Sequence, residues 1–253
     1  MTHIKIYLVL LFVAVHINNS AQSNFTKYNN TGGPVLHKGA GTTFSDNKRW
    51  DFLLASDAEV VFYQDTFRLW YTSSSNPEGP QPYPGIGYAW SLDGISWIKN
   101  PNNAPVFSGK PGTWDSLSIE TVSILIDSLA EASKRYKMWY LGEDDVISVD
   151  SNKYYGIGYA WSANGVNWTR YPDPVIEADT TDWTIDYGSI EGPSVLKDGD
   201  TLRMYYAGFS AMFNSKPWDL HFNIIYAWST DGINWHKKTD EPVLAVNSDN
   251  NWE

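Results

Sequence analysis

The sequence predicts an all-β protein, a propeller assembled from four-stranded blades, and three observations carry that expectation. A near-identical segment occurs three times: GIGYAWSLDGISW over 85–97, GIGYAWSANGVNW over 156–168 and NIIYAWSTDGINW over 223–235. A Pro-Val pair recurs at Pro34, Pro105, Pro174 and Pro242, at intervals of 71, 69 and 68 residues. Between the pairs lie short runs rich in Val, Ile, Tyr and Trp, about four per interval, separated by Gly, Asp, Asn and Pro and without helical period. Antiparallel strands in fours, repeating at a fixed long interval, describe the blade of a propeller.

The elements follow one order in every unit. A Trp comes first (Trp50, Trp114, Trp183, Trp252), followed at once by an acidic residue in three of the four. Next is an apolar run, AEVVFYQ, TVSILID or GPSVLKD, read as the innermost strand A. The aromatic runs FRLWYTS, YKMWYLG and LRMYYAG supply strand B, and the repeated segment supplies strand C. In blade 1 the expected strands cover 59–64, 67–73, 85–91 and 95–99; in blade 2, 121–127, 136–142, 156–162 and 166–170; in blade 3, 192–197, 202–208, 223–229 and 233–237. Asp93-Gly94, Asn164-Gly165 and Asp231-Gly232 read as the tight C–D turn, where glycine accepts positive φ. A catalytic Asp would not survive exchange for Asn164, so the motif reads as scaffold, with Trp97, Trp168 and Trp235 packing between blades. Three blades are complete and a fourth opens at Pro242, only to stop at Trp252-Glu253. Propellers carry roughly four to eight blades, so the expectation is a piece of a longer protein.

Bulk properties narrow the function. Residues 1–21 read as a secretory signal: Lys5, an apolar core from Ile6 to Val15, then small residues up to Ala21. Residues 22–253 form the propeller domain, and a secreted or periplasmic location is expected. The apolar core is too short to span a bilayer, and no later segment is long enough. The net charge of −11 repels phosphate backbones, which argues against a nucleic-acid partner. With no cysteine, and His37, His221 and His236 scattered, the sequence offers neither a thiol nucleophile, a zinc site nor a Ser-His-Asp triad. No metal or other cofactor is expected, and the sequence gives no oligomeric state. The high aromatic content, 13 Trp and 16 Tyr, suits a carbohydrate partner as well as a core.

Strand A entered by an acidic residue, strand B ending in Trp-Tyr or Tyr-Tyr, and Gly-Tyr-Ala-Trp-Ser-x-Asp-Gly-x-x-Trp together resemble the five-bladed propeller glycosidases. These are the arabinanase, levansucrase and invertase-like enzymes, including glycoside hydrolase families 43 and 32. The resemblance runs from about Gly33 to the end and implies five blades in the full protein, about three of them present here. It also implies a central pocket lined by three carboxylates entering the first three inner strands. Aligned on strand A, these are Asp57, Glu120 and Glu191. Glu191-Gly192-Pro193 looks like the family 43 general-acid motif, which makes Glu191 the acid, Asp57 the base and Glu120 the residue that tunes the acid. Two motifs depart from the family, with Ala58 in place of a Pro and Glu120-Thr121 in place of Asp-Pro. Glu59 competes with Asp57 for the role of base, since strand alternation aims both to one side.

Glycoside hydrolysis needs one protonated and one ionised carboxyl group, held roughly 6.5–9.5 Å apart when inverting. Acids entering neighbouring inner strands suit that spacing, and crowding raises the pKa of at least one. The acids begin strand A, so the pocket opens on the face of the D–A and B–C connections. Trp218, in the third B–C loop, is a candidate sugar platform, and Trp114 and Trp183 lie on the same face. Three other readings stay open: a catalytically silent carbohydrate-binding propeller, a phosphorolytic relative of the family 130 type, and a sialidase-like or structural propeller.

Overall fold

The computed structural model describes residues 34–39, 49–75, 81–144, 155–179, 185–186, 188–210 and 221–245. Residues 1–21, expected to be a secretory signal, lie outside the described residues, as do Trp183, Trp218 and Trp252. The described chain forms three consecutive antiparallel sheets in the strand order expected of propeller blades.

Blade 1 contains β1 (Ser56–Tyr63), β2 (Thr66–Ser73), β3 (Gly85–Ser91), β4 (Ile98–Lys99) and β5 (Phe107–Ser108). Blade 2 contains β6 (Ser118–Ile126), β7 (Tyr136–Glu143), β8 (Tyr155–Ser162), β9 (Trp168–Arg170) and β10 (Ile176–Glu177). Blade 3 contains β11 (Gly188–Asp198), β12 (Thr201–Ser210), β13 (Phe222–Ser229) and β14 (His236–Lys237). Strands B and C of each blade fall close to where the pattern of aromatic and β-branched residues places them, whereas strand A starts earlier than expected, at Ser56, Ser118 and Gly188, so that Asp57, Glu120 and Glu191 lie within it and not just before it. Strand D is shorter than expected, starting at Ile98, Trp168 and His236, because the preceding residues belong to the C–D turn.

That turn is built by its own side chains. The Ser91 hydroxyl accepts from the amides of Asp93 and Gly94, at 3.2 and 2.9 Å. The Asp93 carboxylate accepts from the amides of Ile95 and Ser96, at 2.8 and 2.7 Å. Ser162 with Asn164, and Ser229 with Asp231, repeat the arrangement. Burial is the largest single influence on Asp231 and opposes its ionisation, but the hydrogen bonds from Asn234, Ile233 and Ser229 together outweigh it and bring its pKa down to about 2. Each Gly takes positive φ, 73°, 75° and 80° at Gly94, Gly165 and Gly232. The reading of the repeated segment as scaffold therefore holds.

The Pro-Val pair is scaffold too. The amides of Val106, Val175 and Val243 donate to the carbonyls of Ile86, Ile157 and Ile224 on strand C, at 2.7, 2.8 and 2.9 Å. The chain returning to the next blade is thus held against the sheet. Proline, which has no N–H, precedes the residue whose amide is used.

Two hydrophobic clusters lie between the blades. Trp70, Ile86, Ile119, Ile124 and Met138 pack blade 1 on blade 2, and Trp139, Ile157, Ile190, Met204 and Ile225 pack blade 2 on blade 3. Indole N–H groups tie the same interfaces. Trp70 Nε1 donates to Gly165 O of the next blade at 2.8 Å, and Trp139 Nε1 donates to Gly232 O at 2.9 Å. Each carbonyl also accepts from the Trp of its own turn, Trp168 at 3.1 Å and Trp235 at 3.0 Å, which uses both lone pairs. Trp168 and Trp235 stand edge-on to Trp70 and Trp139, so their inter-blade packing is as expected. Tyr205 stands at the matching position of blade 3 and is 37% exposed, whereas Trp70 and Trp139 are fully buried.

Within each blade a buried aspartate fastens the entry loop. Asp115 accepts from Tyr140 Oη at 2.8 Å and pairs with Arg170 Nε at 2.8 Å. Asp51 pairs with Lys99 at 2.6 Å and Asp186 with Lys237 at 2.9 Å, and their tyrosines are Tyr71 and Tyr206. Burial opposes ionisation of Asp51, yet Lys99 and Arg49 together bring its pKa below the ordinary value. Burial first, and then the Asp115 charge, push the phenol of Tyr140 far above the usual range. Gly87 and Gly158 make room for these rings, since a Cβ at either would collide with Tyr71 or Tyr140.

Breaking such a buried triad leaves a desolvated cation. Asp115→Ala should lower the unfolding free energy in urea by about 3–5 kcal/mol. Asp198→Ala, which removes the exposed partner of Arg203, should leave the midpoint unchanged.

Candidate active site

The three inner strands run side by side, with β6 packed between β1 and β11. Each is interrupted near its start by a bulge. The pairing register slips between Ser56 and Glu59, between Glu120 and Val122, and between Glu191 and Ser194. At each slip one residue sits in the left-handed region: Asp57 (φ 48°), Thr121 (φ 39°) and Gly192 (φ 57°). Bulges commonly re-aim side chains beside functional sites.

The register corrects one expectation. Ser56, Glu120 and Glu191 face Thr72, Leu141 and Ala207, which are equivalent positions of strand B. Asp57 is therefore one residue later than Glu120 and Glu191, at the bulge position shared with Thr121 and Gly192. The bulge supplies the reason: two residues oppose one, so the alternation from Asp57 to Glu59 is lost.

That slip also separates the two competitors for the base. Glu59 Oε1 accepts from the Ile124 amide of blade 2 at 3.3 Å. Ser123, its equivalent, accepts from the Val195 amide of blade 3 at 2.9 Å. The Glu59 carboxyl thus occupies an inter-blade bonding position, and burial raises its pKa against the opposing pull of that amide. Asp57 is exposed and bonded only locally, accepting from Ser56 Oγ at 2.9 Å.

The acids come together electrostatically. Burial raises the pKa of Glu120, followed by the charges of Glu143 and Asp57. Glu191 adds to the effect, while the nearby Ser118 hydroxyl opposes it. Asp57, Glu120 and Glu191 therefore share one region, with Glu120 half-buried and the other two exposed. Glu143 belongs to the same cluster, buried at the end of β7 and accepting from Ser118 Oγ at 2.9 Å. The sequence pattern ends strand B of blade 2 at 142, one residue short of Glu143, which β7 includes. The missed signal is its position in the register, opposite Ser118 and two residues beyond the partner of Glu120.

Trp114 has a packing position. It stacks on Tyr140, rings 6.1 Å apart and 11° from parallel, and lies over Gly142 and Gly156, as Trp50 stacks on Tyr71 in blade 1. Trp183 and Trp218 fall outside the described residues. Among the described residues no group of three or more His, Asp or Glu could hold a metal ion. Nor is any helix among them long and apolar enough to cross a membrane.

The chain has, in partial form, the fold of the five-bladed propeller glycoside hydrolases. It is similar to a family 117 glycoside hydrolase of the marine bacterium Zobellia galactanivorans, at TM-score 0.60 and 16% identity, covering 77% of this chain and 58% of that one. It is also similar to a thermostable family 43 glycoside hydrolase, at TM-score 0.52 and 23% identity, covering 75% and 55%. In sequence, 142 residues are 23% identical to a beta-1,2-mannobiose phosphorylase of a Thermoanaerobacter species, over 53% of this chain and 43% of that protein. The match thus spans under half of that relative's length. No family model matches the chain.

A raised carboxyl group costs the folded state stability once it must ionise. The contribution is intact below the ordinary carboxyl range and is lost as pH rises through the elevated value. Glu120→Gln should therefore unfold like wild type at pH about 4 and be the more stable at pH about 8, as read by urea midpoints.

Proposed function

We propose that this chain is the catalytic part of a secreted glycoside hydrolase, cleaving a poly- or oligosaccharide by carboxylate acid–base chemistry. The observation that carries the reading is the convergence of Asp57, Glu120 and Glu191 at three matching bulges on adjacent inner strands. Their mutual influence is registered at Glu120. Asp57, open to solvent, activates the attacking water. Glu191, in Glu-Gly-Pro, protonates the leaving oxygen. Glu120 lies among the other acids and sets the charge that the acid experiences. The Gly192 position, at φ 57°, lets the backbone take the bulge immediately after Glu191 without strain. Export through residues 1–21 fits a polymeric substrate outside the cytoplasm.

A second reading is favoured by one observation, the similarity to the beta-1,2-mannobiose phosphorylase. In this reading phosphate replaces water as the nucleophile, and Glu191 of this chain protonates the leaving group. A silent sugar-binding propeller would retain the fold and the aromatic surface without turnover.

One experiment separates the three. The full-length protein is assayed on a panel of glycans, mannosides included, with and without phosphate. Hydrolysis independent of phosphate, lost by at least 100-fold in Glu191→Gln, is the expected result. Turnover that requires phosphate identifies the phosphorylase, and binding without turnover identifies the silent propeller.

A further inference from the structure

The two junctions between blades share a scaffold, and one of them leaves open a space that the other fills. Phe107 of blade 1 and Ile176 of blade 2 hold the same position, since they pair with Ile86 and Ile157 on strand C. Arg170 and Lys237 are likewise equivalent on strand D of the following blade, opposite Ala160 and Ala227. Where blade 1 meets blade 2, the Arg170 guanidinium lies 4.4 Å over the Phe107 ring, and Nη2 donates to Ser108 O at 2.6 Å. Where blade 2 meets blade 3, Lys237 Nζ donates to the matching carbonyl, Glu177 O, at 3.3 Å. Lys237 pairs with Asp186 as Arg170 pairs with Asp115. Isoleucine and lysine fill less space than phenylalanine and arginine, and a cavity of about 280 Å³ opens beside them.

The walls of that cavity include Ile176, Glu177 and Asp179 of blade 2 with Trp235 and Lys237 of blade 3. Gly232 O already takes the Trp235 N–H, so the half-buried indole offers a ligand its ring surface. Apolar and aromatic surface with a few polar groups at its edge is the composition of a small-molecule site. The polar groups select the class of ligand. Asp186 neutralises Lys237 at 2.9 Å, and Glu177 and Asp179 bring two further carboxyl groups, so an anion is repelled. Carboxylates accept strong hydrogen bonds from hydroxyls. The ammonium has a third N–H beyond those directed at Glu177 O and Asp186. A neutral ring with one apolar face and several hydroxyls, a sugar residue, answers both the indole and the acids.

We propose that this cavity is a second binding site, taking one neutral sugar residue at the rim between blades 2 and 3. Its place in the fold connects it to the acidic cluster. Glu120, Leu141, Ile157 and Ile176 pair in a single row across β6, β7, β8 and β10. Ile176 is thus three strands outward from Glu120, roughly 14 Å at the usual strand spacing, and at the same end of the blade. Resting on the reading of that cluster as a glycosidase site, the cavity holds a distal residue of the saccharide whose scissile bond lies at Glu191.

The test uses the full-length protein carrying Glu191→Gln, so that no probe is consumed. The indole N–H signal of Trp235 is followed by NMR and assigned from Trp235→Phe. The probes are the methyl glycosides of glucose, galactose, mannose and arabinose, with glucuronate as the anion. At least one neutral glycoside should shift the Trp235 signal, and glucuronate should not. Ile176→Phe combined with Lys237→Arg reproduces the pair that fills the other junction, and it keeps a cation for Asp186. This filled variant should abolish the shift while its urea midpoint stays at the wild-type value. Glu177→Ala, at an exposed position, should weaken the binding about tenfold, a result independent of whether the filled variant folds. The site is refuted if no neutral glycoside moves the signal, if glucuronate alone moves it, if the shift persists in the filled variant, or if Glu177→Ala binds like wild type. With Glu191 intact, filling the cavity should raise KM for a polysaccharide about tenfold, the contribution of a second linked site, and leave kcat unchanged. An unchanged KM would sever the cavity from the cleft and leave the sugar site standing. Hydrolysis that persists in Glu191→Gln would overturn the functional reading and leave the sugar site standing as well.

Discussion

Two carbonyl oxygens set the spacing of the three blades. Gly165 O and Gly232 O each accept one indole N–H from their own turn and one from the preceding blade. Both carbonyls sit in turns whose backbone is fixed by serine and by aspartate or asparagine side chains. The indoles that reach them are buried, so a lost bond there would leave an unsatisfied donor without water to replace the acceptor. From this linkage follow the depth to which adjacent blades interpenetrate and the alignment of their inner strands. The alignment is then refined on the inner side by Glu59 with Ile124, Ser123 with Val195, and Thr72 Oγ1 with the Thr121 amide at 3.2 Å. The acids of β1, β6 and β11 meet because both sets of bonds agree.

The buried aspartates act within each blade. Asp51, Asp115 and Asp186 hold each blade's entry loop to strands B and D, through a tyrosine and a cation. Such pairs are costly to desolvate and confer specificity of arrangement more than net stability. Here the arrangement they specify is the end of the blade where the acids enter. A buried charge in each entry loop thereby fixes where the inner strand of that blade begins.

Most of the fold was legible because repetition multiplies weak signals. One aromatic run is ambiguous, but three in the same order leave only a blade. The C–D turn was readable from the exchange of Asp93 and Asp231 for Asn164, since all three side chains accept the same backbone amides. The short strand D was not, because the segment from Ile95 to Trp97 has strand composition while the amides of Ile95 and Ser96 and the indole of Trp97 are bonded in the turn. The site was legible as a neighbourhood and not as a register. Alternation predicts where a side chain points only while the ladder is regular, and a bulge is not written in composition. Hence Asp57 was aligned one residue too early, and Glu59 looked like its equal. Glu143 escaped notice for a related reason: its partner is Ser118, far away in sequence, and only cross-strand pairing brings them together.

Thr121 shows what this arrangement implies for the history of the molecule. It is a β-branched residue at φ 39°, a conformation natural to the glycine found at the same place in blade 3. Its amide is anchored by Thr72 of the neighbouring blade, so the surrounding core sustains a local conformation that the residue itself disfavours. Selection for heat resistance alone would find relief at this position quickly, by exchange for glycine. The threonine instead gives a stiffer seat to the acid immediately before it, at the cost of that relief.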